Sequence, residues 1–135
     1  MTHLLHEEIT SEIIGAAFEV ANNLGAGFLE KVYEKALKVE LKLRGIEVIT
    51  QKPVKVIYKE KVVGQYQTDI IADGKVIVEV KCTDHITLGH KAQMINYLKA
   101  TGLNVGLIVN FGKSKVEYER IVVTRINTDS ADKRG

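Results

Sequence analysis

The sequence predicts an α/β (α+β) fold of order ααβββαββ, a sandwich of helices around one mixed sheet. Three observations predict it. Apolar residues recur at helical spacing in the first third of the chain and again near residue 90. Between these stretches the pattern changes to short β-branched runs, broken at Pro53, at Glu60-Lys61 and at Asp73-Gly74. Finally, "NVGLIVNF" (104–111) is apolar almost throughout, as a strand covered on both faces would be.

The first helix is expected over 4–23, where Ile9, Ile13, Ala16, Ala17 and Val20 share a face and Gly25 and Gly27 stop the run. A second fits 29–44, with Gly45 placed to follow its last turn. The strand-like pieces "IEVIT", "VKVIYK", "VVGQYQTDIIA" and "KVIVEVK" come next. A third helix spans 88–101 and ends at Gly102, and "VEYERIVV" closes the sheet. Residues 1–124 read as a single domain and 125–135, without periodicity, as a mobile tail.

Composition narrows the function classes. The chain of 135 residues is 45% hydrophobic and 27% charged, ordinary for a globular protein. Its net charge of +2 permits a polyanionic partner without arguing for one. The single Cys82 excludes an internal disulfide and a thiolate zinc site, and fits a reducing compartment. "MTHLLHEEIT" lacks a basic region followed by an apolar stretch, and no run approaches the roughly 20 residues that span a bilayer. A cytoplasmic protein without membrane contact is expected.

The stretch "TDIIADGKVIVEVKC" (68–82) raises the central question, because polar Asp69, Glu79 and Lys81 interrupt apolar strands. A two-residue type I′ turn at Asp73-Gly74 would put Asp69 opposite Val78 and leave Asp69 and Glu79 on opposite faces. A three-residue loop, Ala72-Asp73-Gly74, puts Asp69 opposite Ile77 and brings Asp69, Glu79 and Lys81 to one face. The second register is favoured, because Ile70, Val76, Val78 and Val80 then form a continuous apolar face. The two carboxylates become near-diagonal neighbours, close enough to share a hard cation. The plainer alternative is a solvated strand end.

Two helices offer further polar groups. Glu30 and Glu40 fall inside the apolar arc of the second helix, about 15 Å of helix rise apart, so both cannot serve one compact site. Either can also bend out to solvent. On the third helix His90, Gln93 and Tyr97 form a polar stripe that can face one neighbour, or form a half-buried rim. The four histidines show no zinc-ligand spacing, and the glycine-containing stretches lack the context of a phosphate loop.

Gly27, Glu30 and Tyr33 spell G-x-x-E-x-x-Y within "GFLEKVYEKALKVEL". With Gln51, Asp69, "EVK", "QMINYLKATG" and "VGLIVNFG", the ordered series resembles the GxxExxY family of the PD-(D/E)XK nuclease superfamily, from about Ile13 to Val123. The resemblance implies a restriction-endonuclease-like αβββαβ core and a metal-dependent nuclease acting on nucleic-acid phosphodiesters, with DNA expected ahead of RNA and the choice between them left open. It implies Glu30, Asp69, Glu79, Lys81 and Gln93 as catalytic residues. Asp69, Glu79 and the Val80 carbonyl would hold Mg²⁺ or Mn²⁺. Tyr33, Gln51, His90 and Tyr97 are candidates for substrate contact, and a homodimer is a possible assembly. Thr68 stands where the superfamily name has proline, and Asn22 and Ala26 where relatives often have histidine and proline. The rival expectation is a non-catalytic nucleic-acid- or protein-binding module that retains the fold.

Overall fold

The computed structural model of the chain describes residues 5–124, so the expected tail at 125–135 lies outside the described residues. Helix α1 (Glu7–Leu24) forms because Ile13, Ala16, Ala17 and Val20 make one buried stripe. Helix α2 (Glu30–Leu43) buries Tyr33, Leu37 and Leu41 and lies against α1. Its end is a Schellman closure: Gly45 N–H donates to Lys42 C=O and Ile46 N–H to Leu41 C=O, both at 3.0 Å. Gly45 takes the left-handed conformation (φ 79°) that this closure requires, as its position after the helix predicts.

Among the described residues seven strands follow these helices: β1 (Val48–Thr50), β2 (Pro53–Tyr58), β3 (Lys61–Gln67), β4 (Ile70–Ala72), β5 (Val76–Lys81), then β6 (Val105–Asn110) and β7 (Glu117–Val122). Helix α3 (Leu88–Thr101) connects β5 to β6. The main sheet has order β1-β4-β5-β6-β7, with only β5 and β6 parallel. This is the mixed sheet flanked by helices that the pattern predicts. Five strands rather than the three of ααβββαββ precede α3, because all four strand-like pieces form strands and the run 62–72 is itself two. It divides at Thr68-Asp69: β3 pairs with β2 in a separate two-stranded ribbon, while β4 enters the main sheet. Burial explains the division, since Val62, Val63 and Tyr66 are exposed whereas all three residues of β4 are buried.

The main sheet separates two cores. Ile70, Ala72, Val76, Val78 and Val80 pack toward α1 and α2, with Leu107 and Val109 beside them. Ile71, Ile77 and Ile108 pack on the other face with Met94 and Leu98 of α3. Strand β5 is therefore apolar on both sides until Glu79. Helix α3 starts at a reciprocal cap: Thr87 Oγ1 accepts from His90 N–H at 3.1 Å, and Thr87 N–H donates to His90 Nδ1 at 3.0 Å. Among the described residues no helix is long and apolar enough to cross a membrane.

Two glycines mark close approaches that test this packing. A Cβ on Gly112 would overlap the backbone of Thr83, whereas one on Gly106 would meet the flexible side chain of Met94. Gly112→Ala is expected to cost about 3 kcal/mol and Gly106→Ala only about 1 kcal/mol, because backbone cannot yield as a thioether can. Urea titration of both variants checks the order; equal losses would contradict the Gly112 contact.

Candidate functional site

The site begins where β4 and β5 part. Their last ladder pair is Ile70 with Val78, so continuing the register places Asp69 level with Glu79. The hairpin loop is Asp73-Gly74-Lys75, not Ala72-Asp73-Gly74, which shifts the expected register by two residues. Asp73 and Gly74 both have positive φ (51° and 66°), and Lys75 N–H donates to Ala72 C=O at 3.0 Å. That is the I′ turn that Asp-Gly favours, with Lys75 as one additional residue before pairing resumes. A shift of two preserves the face, so Asp69 and Glu79 are directly opposed rather than diagonal.

Beyond that last pair, side chains replace the ladder. Asp69 Oδ2 accepts from Val80 N–H at 2.8 Å, and Asp69 N–H donates to Glu79 Oε1 at 3.3 Å. Lys81 C=O accepts from Phe111 N–H at 2.9 Å, on the β6 side of β5. Successive residues of a strand alternate direction, so the Val80 carbonyl points with its amide into the gap beside Asp69.

Two carboxyls in this gap cannot both ionise easily. Burial, and then the charge of Asp69, push the Glu79 carboxyl up to about 9. Burial also raises Asp69, partly offset by the Val80 N–H and by the hydrogen bond from Glu79. The pair therefore favours holding one proton between its two carboxyls over carrying both charges.

Three other expected residues, Lys81, Glu30 and Tyr97, interact electrostatically with this pair. Lys81 is half-buried and acts electrostatically on Asp69, Glu79 and Glu30. Glu30 opens α2; burial raises its carboxyl, Lys81 draws it back, and Asp69 and Glu34 push it up again. The Cys82 N–H also bonds to it and steadies its charged form. From the opposite side comes Tyr97, whose hydroxyl is pushed up to about 12 by burial and by the charges of Glu79 and Asp69. Gln93 lies one turn before it on α3, half-buried.

The three remaining candidates for substrate contact have surroundings of their own. Tyr33 is buried, stacks on Phe111 at 4.7 Å, and spends its hydroxyl on the α1–α2 loop. It donates to Gly25 C=O at 2.6 Å and accepts from Phe28 N–H at 3.3 Å. Gln51 is exposed in the β1–β2 connection at φ 52°, with no interaction tying it to the carboxylates. His90 Nδ1 is taken by the helix cap; burial, Lys81 and His85 hold its imidazole below the usual range.

One group was missed. Glu34, fully buried on α2, bonds Lys38 at 2.8 Å and Lys31 at 3.4 Å, and its charge acts on both Asp69 and Glu30. Glu40, the alternative weighed on that helix, pairs instead with Arg44 at 2.9 Å. Thr68 has a local purpose of its own: its N–H donates to Lys52 C=O at 3.1 Å, a bond that proline could not make.

Among the described residues no three His, Cys, Asp or Glu side chains converge as a metal-holding group. Asp69, Glu79 and the Val80 carbonyl offer two carboxylates and one carbonyl, all hard oxygen donors. That set fits Mg²⁺ or Mn²⁺, which keep several waters and need only one or two carboxylates.

Comparison with known proteins agrees with this architecture. The profile of the PD-(D/E)XK nuclease superfamily matches residues 7–121, so the chain belongs to that superfamily. Its nucleases generally use divalent metals. The crystal structure of SSO0001 superposes with TM-score 0.54 at 17% identity, which establishes a shared fold. The match covers 95% of this chain, and this chain spans 65% of that one. An alkaline exonuclease from Laribacter hongkongensis overlaps more loosely, with TM-score 0.44 and 12% identity over 98% of this chain and 77% of that one. No curated protein sequence matches the chain.

The raised carboxyls set a pH dependence. Between about pH 4.5 and 9 the folded acid pair holds a proton that the unfolded chain has lost. Folding therefore binds protons across this window, and stability falls as pH rises through it. Glu79→Gln, neutral and of the same shape, should stabilise the protein by about 1 kcal/mol or more at pH 8, with little effect at pH 4. Thermal unfolding of parent and variant from pH 4 to 9 measures this; parallel curves would reject the shared proton.

Proposed function

We propose that this chain is a member of the GxxExxY family and a divalent-metal-dependent nuclease that hydrolyses nucleic-acid phosphodiester bonds. The observation that carries the reading is the opposed pair Asp69–Glu79 at the split between β4 and β5, with the Val80 carbonyl directed into the same gap. In this reading those three groups hold Mg²⁺ or Mn²⁺. The cation would polarise a phosphodiester oxygen and make a water a better nucleophile.

The chain's own residues supply the rest. Lys81, half-buried beside the pair, orients the attacking water and offsets charge on the phosphorane-like transition state. Glu30 positions a second water, and Gln93 and Tyr97 face the substrate from α3. DNA is the first substrate to try, ahead of RNA, and a homodimer is the assembly expected where duplexes are cut. Cytoplasmic residence suits the free Cys82. Residues 1–124 act as one domain in this account.

Lys81 separates an enzyme from a binding module. Lys81→Ala should keep fold and Mn²⁺ binding but lose roughly 10²–10⁴ in cleavage rate. Single-turnover cleavage at saturating enzyme reads this, because affinity no longer limits the rate. Unchanged cleavage would remove Lys81 from the chemistry. In parallel, calorimetry should show Mn²⁺ binding lost in Asp69→Ala/Glu79→Ala. A parent that cleaves neither DNA nor RNA with either metal would make the chain a binding module.

A further inference from the structure

The β2–β3 ribbon pairs with itself and not with the main sheet, and it lies over α3. Between ribbon and helix runs a groove of about 830 Å³. Val54, Val56 and Tyr66 line one wall; Ala92, Gln93 and Tyr97 line the other. The rings of Tyr66 and Tyr97 meet at 5.8 Å with their planes tilted by 52°. Tyr97 is buried, but 47% of Tyr66 stays exposed, so an aromatic surface is open to whatever enters. Tyr97 lines the groove and is also the side chain whose hydroxyl responds to the charges of Glu79 and Asp69, although neither acid lines the groove itself.

The surroundings are cationic. The ribbon and the turn before it (51–67) carry Lys52, Lys55, Lys59 and Lys61 against the single acid Glu60. Helix α3 adds Lys91 and Lys99 and no acid. The whole chain has a net charge of only +2, so the remainder is net negative and the positive charge is concentrated here. Lys91 pairs with Glu119 at 3.4 Å, while Lys55 and Lys99 are exposed at the groove itself.

We infer that this groove is a track for one unpaired nucleic-acid strand, whose bases stack on Tyr66 and whose phosphates meet Lys55 and Lys99. The track leads the strand past Tyr97 and Gln93 to the acid pair, and in that respect it rests on the nuclease reading above. The aromatic wall decides for a single strand. In a duplex the base faces are hidden against one another, leaving phosphates and base edges, which apolar walls do not reward. Unpaired bases offer π-faces to tyrosine, and flanking lysines follow the backbone. A two-stranded ribbon can also enter a duplex major groove, but it then presents a convex polar face. Here Val54, Val56 and Tyr66 turn toward α3 and close a cleft.

The test is fluorescence anisotropy in EDTA, where nothing is cut. The probes are a fluorescein-labelled DNA strand of about 12 nucleotides, within the site sizes of compact single-strand binders, the RNA of the same sequence, and the matching DNA duplex. At least one single strand should bind about tenfold or more tighter than the duplex. Tyr66→Leu should weaken it about tenfold and Tyr66→Phe hardly at all, because stacking needs the ring and not the hydroxyl. Lys55→Ala and Lys99→Ala should each lower the salt slope by about 0.7. Should Tyr66→Leu fail to fold, the two lysine variants decide alone. Binding indifferent to Tyr66 and to both lysines, equal affinity for duplex, or no strand binding would each overturn the track.

The two readings fail separately. Cleavage by a parent whose strand binding ignores Tyr66 would spare the nuclease and remove the track. Strand binding that needs Tyr66, without cleavage in either metal, would keep the track and remove the nuclease.

Discussion

The hydrogen bond from the Val80 amide to the Asp69 carboxylate is the constraint on which the rest depends. After Ile70 and Val78 the two strands separate, and a buried amide on β5 would be left without a partner. Such an orphan costs about 1–3 kcal/mol. Asp69 satisfies it with a side chain instead of a backbone carbonyl, so its carboxylate is fixed by the same geometry that ends the ladder. Glu79 is held in turn by the Asp69 amide. The acid pair is therefore an extension of strand pairing by other atoms, which explains how two carboxyl groups are kept together in an apolar sheet.

Groups with no chemical task keep the neighbouring elements in place. The Tyr33 hydroxyl gathers Gly25 and Phe28, fixing the loop from which α2 starts and hence the position of Glu30. On the far side Asn110, fully buried, bonds both N–H and C=O of Thr83 and also Gly112 N–H and Glu117. It clamps the segment that follows Lys81 to the end of β6. Residues from α2, β5 and α3 thus meet because polar side chains outside the site bind the loops between them.

Much of this was legible in the sequence, for reasons that can be named. Parity is strongly encoded: only one choice of face keeps Ile70, Val76, Val78 and Val80 together, and the shared face of Asp69 and Glu79 followed from it, though not their direct opposition. Register is weakly encoded, because whether Lys75 belongs to the turn or to the strand changes no hydrophobic pattern. The break at Thr68-Asp69 left no trace, since β-branched and aromatic residues suit an exposed ribbon and a buried strand alike. Glu34 was passed over as one charge in a lysine-rich helix, although its place one turn after Glu30 put it on the same side. Tyr33 drew attention through the motif it completes, while its hydroxyl partners lie in a loop whose path no periodicity records.

The Thr68–Lys52 hydrogen bond closes the neck of the ribbon, so the chain leaves the main sheet and returns to it at nearly one point. Everything between those residues is topologically an insertion. Its tip turns through Lys59 and Glu60, both at positive φ, without touching the acid pair. A segment of this kind can lengthen, shorten or be exchanged for another while β4 and β5 keep their register. In evolutionary terms the ribbon is a replaceable cassette: the scaffold can keep its acid pair whatever piece is held above its helix.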